Sequence, residues 1–216
     1  MQRKPVISAQ QAADKVKPDS RVMIGGFMAV GTPEKIINAL VDFNTKALTI
    51  IANDSGFIDK GIGLLVVNHQ VKKMIATHIG LNSETGRQMN LGELEAVLVP
   101  QGTLIEQIRC AGAGLGGVLT QTGLGTSVAE GKKTVECRGE TYLLEEPIEA
   151  DIALLKASVV DKAGNCIFNK TTKNFNPVMA TAAKTVIVEA DQLVEVGEIE
   201  ADHFMLPGTF IDYIVH

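Results

Sequence analysis

The sequence predicts an α/β fold built on an open, mostly parallel sheet flanked by helices. Short apolar runs alternate along the chain with amphipathic segments of helical spacing, which is the pattern of such a sheet. The run Val22–Ile24 is apolar at every position, as expected for a strand covered on both faces. Hydrophobic residues make up 45% of the 216 and charged residues 21%, which is ordinary globular composition. With no linker and no internal repeat evident, we expect one domain over residues 1–216.

The first half of the chain alternates predicted helices and strands. Ser8 is a candidate N-cap for a helix within residues 6–16, and Thr32 followed by Pro33 marks the start of a second, amphipathic helix that ends at Phe43. The other predicted elements are strands over 48–52, 72–77 and 95–99, a helix over 83–91, and a helix over 103–110 opened by capping-box spacing at Thr103. The apolar run 64–67 fits neither class clearly.

The second half begins with a glycine-rich passage, Gly112–Gly125, whose length and composition predict a long loop or lid. The runs 134–137 and 141–144 flank a short turn and predict a β-hairpin. Strands are predicted over 152–156 and 185–189, with a helix over 177–184 between them.

The turn after Val22–Ile24 contains Gly25, Gly26 and Gly31. Glycine lets a ligand approach the main chain, and the helix that follows would direct its positive end toward the same place, so the turn suits an anionic ligand. An ordinary connecting turn that binds nothing explains this spacing equally well.

Two polar side chains follow predicted strands, at the edge where parallel sheets collect ligands. Asn53 follows strand 48–52, where its amide could bond a small carboxylate or form a turn that ends the strand. Gln101 follows Pro100, where its N–H groups could stabilise an oxyanion during acyl transfer. For Asn53 the two explanations are equally good on spacing alone, whereas for Gln101 spacing alone favours an ordinary loop residue.

Composition argues against several classes of function. A net charge of −5 and 4% aromatic residues without Trp disfavour a nucleic-acid partner. No apolar run suits a signal peptide or a membrane span, so we expect a cytoplasmic protein with no membrane association. The three cysteines and four histidines lack the spacing of metal ligands, and we predict no metal site.

The segment Gly112–Gly117 matches the glycine spacing of a dinucleotide fingerprint. That fingerprint must follow a strand and open a helix, whereas this match follows a predicted helix. We therefore interpret it as a mobile loop rather than a dinucleotide site.

The segment Asp19–Pro33 resembles the first signature of the family I CoA-transferases. In that signature an apolar triplet leads into Gly-Gly-Phe, three residues, Gly, one residue and Pro, and the chain departs only at Ser20, where the family usually has Gly. The resemblance covers nearly the whole chain, is closest to alpha subunits of the acetate/acetoacetate type, and continues through Ile50–Asp54, Val99–Leu104, Arg109–Gly114 and Asn174–Pro177.

The resemblance implies a CoA-transferase alpha-subunit fold of the sugar-phosphate isomerase-like type. It also implies an enzyme that moves CoA between an acyl-CoA and a short-chain carboxylate. It implies that Asn53 binds the small carboxylate and that Gln101 contributes to the oxyanion hole. CoA would be a substrate, with no permanently bound cofactor. The residues implied to bind CoA are Gly25, Gly26, Phe27, Met28, Ala29, Val30 and Gly31.

The nucleophile of this family is a glutamate in a Ser-Glu-Asn-Gly signature, whose carboxylate attacks the acyl-CoA thioester and then carries CoA. This chain has no such tetrapeptide; the nearest string is Ser83-Glu84-Thr85-Gly86, at a predicted helix start where Ser and Glu are expected. We therefore interpret Glu84 as structural. The resemblance implies that a beta subunit supplies the glutamate within a complex of two alpha and two beta chains.

Two other functions fit the same turn chemistry. One is a non-catalytic α/β module that binds a sugar phosphate or a nucleotide, because a fold does not determine function. The other is a sugar-phosphate isomerase, which is disfavoured because no Asp/Glu/Lys set for proton transfer is evident at strand ends.

Overall fold

The computed structural model describes residues 3–216. The strands are β1 (Val6–Ile7), β2 (Arg21–Ile24), β3 (Leu48–Ile51), β4 (Val71–Ala76), β5 (Glu95–Leu98), β6 (Val118–Thr120), β7 (Thr134–Cys137), β8 (Glu140–Glu145), β9 (Ala150–Asp161), β10 (Cys166–Ile167), β11 (Ala183–Val194) and β12 (Tyr213–Val215). The α-helices are α1 (Ala9–Asp14), α2 (Glu34–Phe43), α3 (Ile62–Val67), α4 (Ser83–Asn90), α5 (Gln101–Gly112) and α6 (Asn176–Met179).

Within residues 3–216 the strands form one nine-stranded sheet and one three-stranded sheet. The large sheet has the order β1-β12-β11-β9-β2-β3-β4-β5, with β10 added beside β9. Its pairs are parallel apart from β10 with β9, which confirms the predicted fold class. The small sheet, β6-β8-β7, is antiparallel. No described helix combines the length and apolar character needed to cross a bilayer.

The large sheet is covered on both faces because its strands alternate between two apolar layers. In β2, Val22 and Ile24 pack into one buried cluster and Met23 packs into the other. Helix α2 adds Ile36 and Leu40 to the first cluster. The continuously apolar strand predicted from the sequence is therefore confirmed, since each of its faces meets a buried layer.

The helix predicted over residues 6–16 is shorter than expected. Val6 and Ile7 form β1, which pairs with Ile214 and Val215 of β12. The predicted cap at Ser8 is confirmed: its Oγ accepts the Gln11 N–H at 3.1 Å, and its own N–H donates to Gln11 Oε1 at 2.9 Å. Because of this reciprocal cap, α1 begins directly after Ser8. Val6 and Ile7, which precede the cap, belong to the edge strand of the sheet instead of the helix.

Two predicted helix starts are wrong by one or two residues. Helix α2 begins at Glu34, with Pro33 rather than Thr32 at the N-cap position and no side-chain cap. Helix α5 begins at Gln101, so Thr103 lies inside the helix instead of capping it, and its buried hydroxyl has no partner among the described residues. In both cases the proline comes directly before the first helical residue, and its carbonyl accepts a helical N–H.

The structure changes four further assignments. The unassigned run 64–67 belongs to α3, and the helix predicted over 177–184 ends at Met179 because Ala183 already pairs with Ala150. That pairing continues along β9 and β11, which makes both strands 12 residues long rather than the five predicted. The glycine-rich loop 112–125 includes β6, which pairs with β8.

The predicted hairpin of β7 and β8 is confirmed. Its two central turn residues, Arg138 and Gly139, have φ of 55° and 79°. Two consecutive positive φ values match the right-handed twist of the flanking strands and keep the turn at two residues.

Candidate functional site

The candidate site lies at the carboxyl end of the parallel sheet. Strand β2 runs into residues 25–31, which we call the first glycine loop. Phe27 and Val30 bond each other through both of their N–H groups, each at 2.9 Å, and this closes a tight turn at the tip. Met28 and Ala29, between them, have φ of 49° and 63°. The turn exposes the side chains of Met28 and Val30, which are 41% and 47% accessible.

Two asparagines from the far half of the chain hold the first glycine loop. Asn174 Oδ1 accepts the Gly26 N–H at 3.2 Å, and Asn174 Nδ2 donates to Val30 O at 3.2 Å. Asn176 Nδ2 donates to Gly31 O at 3.0 Å, while its Oδ1 accepts the Lys156 N–H at 3.1 Å. Asn176 is fully buried.

The close approach of Asn176 explains the glycine at position 25. A Cβ placed on Gly25 would lie 1.7 Å from Asn176 Oδ1. The backbone of Gly25 is otherwise ordinary, so the requirement for glycine here is one of space rather than of conformation.

Asp54 joins the first glycine loop to a second one. Its Oδ2 accepts the Met28 N–H and its Oδ1 accepts the Gly56 N–H, both at 2.8 Å, and the side chain is buried. Gly56 begins residues 56–61, the second glycine loop, which repeats the pattern Gly-Phe-x-x-x-Gly of residues 26–31 and forms the same kind of bridge between Phe57 and Lys60. The two loops stand side by side because β2 and β3 are neighbours in the sheet.

The first glycine loop does not present an open set of N–H groups to an anion. Within the described chain, the N–H groups that already bond protein oxygens are those of Gly25, Gly26, Phe27, Met28 and Val30. The N-terminus of α2 is occupied as well, because Glu189 Oε2 accepts the Ile36 N–H at 3.1 Å. A buried carboxylate therefore meets the positive end of this helix in place of a side-chain cap.

Glu189 is the buried member of an ionic cluster that it forms with Lys156 and the exposed Asp191. Lys156 Nζ lies 2.9 Å from Glu189 Oε1 and 2.7 Å from Asp191 Oδ1. Burial alone would lower the pKa of Lys156, but the hydrogen bonds that its ammonium donates to Asp191 and Glu189 raise that pKa above its usual range, so the lysine stays charged. Burial, with Glu189 nearby, raises the pKa of Glu34 in the first turn of α2. Lys156, Glu189 and Asp191 lie inside β9 and β11, so they are not a set at strand ends of the kind that the sequence was expected to lack.

Asn53 and Gln101, 48 positions apart in sequence, meet at the ends of β3 and β5. Gln101 Nε2 donates to Asn53 Oδ1 at 3.1 Å. The Thr77 hydroxyl donates to Asn53 O at 2.8 Å and helps to fix the position of Asn53. Asn53 Nδ2 bonds no residue in the described chain, and one Gln101 N–H remains free, so the pair offers neutral donors at this edge of the sheet.

Glu84 occupies a different environment from these donors. Its carboxylate accepts bonds from Arg87 Nη2 at 2.7 Å and from Gln88 Nε2 at 2.8 Å. These bonds, that of Arg87 foremost, lower the pKa of Glu84 to about 2. This geometry agrees with a structural role in the first turn of α4.

Several residues of the site were not assigned a role from the sequence. Asp54, Asn174 and Asn176 lie inside recognised motifs, yet their partners are distant in sequence. Lys156 and Glu189 could have been found, because each is a charged residue inside an apolar strand run.

The GxGxxG match does follow a helix, α5. Among residues 3–216, no group of three or more His, Cys, Asp or Glu is placed to hold a metal ion.

Protein families and curated proteins include relatives of this chain over most of its length. Residues 6–216 match the family model described as coenzyme A transferase. The chain is 51% identical over 210 residues to the acetate CoA-transferase subunit alpha of Escherichia coli strain K12, covering 97% of this chain and 96% of that one. It is 55% identical over 199 residues to the acetoacetyl-CoA:acetate/butyrate CoA transferase alpha subunit of Clostridium acetobutylicum, covering 92% of this chain and 91% of the relative.

Solved structures share the fold at lower identity. An acyl-CoA transferase from Escherichia coli O157:H7, in a thioester complex with CoA, superposes with a TM-score of 0.88 at 24% identity and covers 99% of this chain. This chain spans only 47% of that longer one. Glutaconate coenzyme A-transferase from Acidaminococcus fermentans gives a TM-score of 0.84 at 18% identity, covering 97% of this chain and 74% of that one.

Proposed function

The chain belongs to the coenzyme A transferase family as an alpha-type subunit, and we propose that it forms half of an enzyme that moves CoA between an acyl-CoA and a short-chain carboxylate. Acetate, acetoacetate and butyrate are the carboxylates that the relatives' names suggest. The observation that carries the proposal is the Asn53–Gln101 donor pair, joined through Asp54 to the first glycine loop.

In this proposal the first glycine loop binds the pantetheine arm rather than the phosphates of CoA. Most of its N–H groups are already bonded, while Met28 and Val30 expose apolar side chains at its tip. Gly25, Gly26, Phe27, Ala29 and Gly31 complete the contact surface by shaping the backbone of the turn. CoA is thus a substrate, and no resident cofactor is required.

The reaction proposed is ping-pong acyl transfer through a glutamate of the partner. The glutamate carboxylate attacks the thioester carbonyl and expels CoA as thiolate, which leaves a mixed anhydride. The thiolate then attacks the glutamyl carbonyl, which releases the first carboxylate and forms a glutamyl-CoA thioester. A second carboxylate reverses these steps and leaves as the new acyl-CoA.

Asn53 and Gln101 would act on the charges that form during these steps. Gln101 has one N–H directed to Asn53 and a second available for the oxyanion of the tetrahedral intermediate. Asn53 Nδ2 is a neutral donor for the carboxylate substrate. Neutral amides suit this role because they bind the anion without permanently neutralising the attacking carboxylate.

The nucleophile would come from a beta subunit, in a complex of two alpha and two beta chains. Glu84 is engaged by Arg87 and Gln88, and Glu189 by Lys156 and the end of α2. Neither carboxylate is free to attack a thioester. The contacts of these charged groups also disfavour a sugar-phosphate isomerase, because Lys156 contacts two carboxylates and Glu189 is 1% accessible.

We place the complex in the cytoplasm. Cys110, Cys137 and Cys166 are all free thiols, as is usual in a reducing compartment.

The test is reconstitution with the beta subunit. We expect the chain alone to show no transfer from acetyl-CoA to acetoacetate and the two chains together to show it. Borohydride reduction after incubation with acyl-CoA should then modify one glutamate, on a peptide of the beta chain. A modified glutamate on a peptide of this chain, or full activity from this chain alone, would contradict the proposal.

A further inference from the structure

The tip of the first glycine loop has a backbone conformation that its own residues disfavour. Met28 and Ala29, between the bonded pair Phe27 and Val30, have φ of 49° and 63°. A two-residue turn with positive φ at both positions prefers Asn and Gly, because a Cβ there lies too close to the following carbonyl oxygen. Methionine and alanine have a Cβ and no polar side-chain atom to offset this contact, so the tip is strained.

The second glycine loop closes with a matching bridge but without this strain. Its bridge joins Phe57 to Lys60, and neither Ile58 nor Asp59, the two residues between them, has a positive φ. The positive φ values of that loop fall on glycines, which tolerate them. Of the two loops, only the first therefore needs contacts from outside to hold its tip.

Asp54 supplies such a contact directly to a strained residue. Its Oδ2 accepts the Met28 N–H and its Oδ1 accepts the Gly56 N–H, both at 2.8 Å. The side chain is 4% accessible, and within residues 3–216 it forms no ion pair. Burying a carboxylate without a cation is costly, so these two main-chain bonds are what the carboxylate at this position provides.

The strained tip carries the groups that the proposed function uses. The turn exposes the side chains of Met28 and Val30, which we assign to the pantetheine arm. Asn53, directly before Asp54 in sequence, bonds Gln101. Relaxation of the tip to negative φ would redirect Met28 and change its distance from this amide pair. Asp54 therefore lies between the two parts of the site and links their positions.

We propose that Asp54 is a positioning residue that holds the strained tip of the first glycine loop in the conformation that binds acyl-CoA. The inference rests on the proposed function and extends it. Without the carboxylate, the tip relaxes for most of the time, and acyl-CoA must restore its conformation on binding. This cost is the same for the bound substrate and for the transition state, so it raises KM and leaves kcat unchanged.

The first test is Asp54→Ala in the reconstituted two-subunit enzyme. It should raise KM for acetyl-CoA about tenfold, which corresponds to about 1.4 kcal/mol, with kcat unchanged. Asp161→Ala is the matched control, because Asp161 is 2% accessible and its Oδ1 also accepts two main-chain N–H groups, both at 2.9 Å. The control should destabilise the chain in urea and leave KM unchanged. Equal KM changes in the two variants would overturn the inference.

A second variant tests the strain itself. Ala29→Gly removes the Cβ that disfavours positive φ, so the tip should depend less on Asp54. The KM ratio between Asp54→Ala and its parent should then fall from about tenfold to about threefold or less when both carry Ala29→Gly. An unchanged ratio contradicts the proposal. If Asp54→Ala alone does not fold, Ala29→Gly should restore folding; failure to do so would show that Asp54 supports the core instead of the tip.

Amide hydrogen exchange separates this inference from the proposed function, because it requires no activity. In the chain without acyl-CoA, Asp54→Ala should speed exchange in the peptide covering residues 26–31, and Ala29→Gly should reduce that increase. Asp161→Ala should leave exchange in this peptide unchanged. If the wild-type complex transfers CoA but Asp54→Ala behaves like Asp161→Ala in exchange and in KM, the inference fails while the proposed function stands. If the complex transfers no CoA, the proposed function fails, and the exchange rates still decide whether Asp54 holds the tip.

Discussion

The first and second glycine loops share the pattern Gly-Phe-x-x-x-Gly, follow adjacent parallel strands and form the same tight turn. They differ in what holds them. The second loop is held by residues only 27 positions away: Gly61 N–H donates to Glu34 Oε2 at 3.1 Å, and Asn82 Nδ2 donates at 3.3 Å to the carbonyl of Ser55, which directly precedes the loop. The first loop is held by Asn174 and Asn176, which lie almost 150 positions further along the chain.

This difference shows that one local pattern can serve two purposes. A turn held by residues 27 positions away can form once the neighbouring βα units, which contribute Glu34 and Asn82, have folded. A turn held by distant asparagines is completed only when β9 and α6 have docked, so its precise position depends on the whole sheet. The loop that we assign to CoA is the one with the long-range contacts, and the first two of the predictions below test this assignment.

The largest effect should come from Gly25→Ala. The added Cβ would lie 1.7 Å from Asn176 Oδ1, so either the asparagine or the loop must move. We expect the unfolding free energy to fall by about 1–3 kcal/mol. Displacement of the loop should reduce transfer by the reconstituted enzyme on the order of 10²-fold. Urea unfolding and steady-state kinetics measure the two effects.

Gly86→Ala is the matched control, because nothing lies within 4 Å of a Cβ at that helical position. It should stabilise the chain by about 0.4–1 kcal/mol with unchanged activity. If Gly25→Ala behaves like this control, the contact between Asn176 and the first glycine loop is not important for function.

A smaller effect on activity should separate the two loops. Asn176→Ala leaves Lys156 N–H and the carbonyl oxygens of Gly31 and Thr172 without their partners, and should destabilise the chain by about 2–3 kcal/mol. It should also raise KM for acyl-CoA about tenfold. Asn82→Ala removes the N-cap of α4 and the bond to Ser55, and should destabilise by about 1 kcal/mol with KM unchanged. Equal changes in KM for Asn176→Ala and Asn82→Ala would show that the two loops contribute equally to acyl-CoA binding.

The smallest effect is a pH dependence at Glu34, which links α2 to the second glycine loop. Burial raises the pKa of Glu34 in the folded chain, so its contribution to stability is complete below the unfolded pKa of about 4.3 and is lost as pH rises through the folded pKa. Glu34→Gln cannot ionise and can still accept the Gly61 N–H. The melting temperature of this variant relative to wild type should therefore rise from about pH 4 to about pH 7.

Asp151→Asn should show the opposite trend. The Arg21 N–H, donating to Asp151 Oδ2 at 3.0 Å, lowers the pKa of Asp151 with help from Lys184, so its stabilisation is present above the unfolded pKa and lost as pH falls. The melting temperature of Asp151→Asn relative to wild type should fall as pH rises. If the relative melting temperatures of Glu34→Gln and Asp151→Asn change in the same direction with pH, the assigned directions of the two pKa shifts are contradicted.

Much of the architecture was predictable from the sequence because it depends on local regularities. The apolar triplet Val22–Ile24, the amphipathic spacing of α2 and the turn between β7 and β8 each determine an element from a few neighbouring residues. The positions of Asn53 and Gln101 after strands were visible in the same way, and a parallel sheet brings strand ends together. The family motifs could be recognised equally well, because each is a contiguous stretch of residues.

Only the tertiary structure decided which side chains complete the site. Nothing local indicates that Glu189 caps α2, that Asp54 joins two loops, or that Asn176 excludes a Cβ at Gly25. These contacts form between residues far apart in sequence, and they arise because β9 lies between β2 and β11 in the sheet. A hydrogen bond requires two partners at a set distance, and sequence reveals one partner at a time.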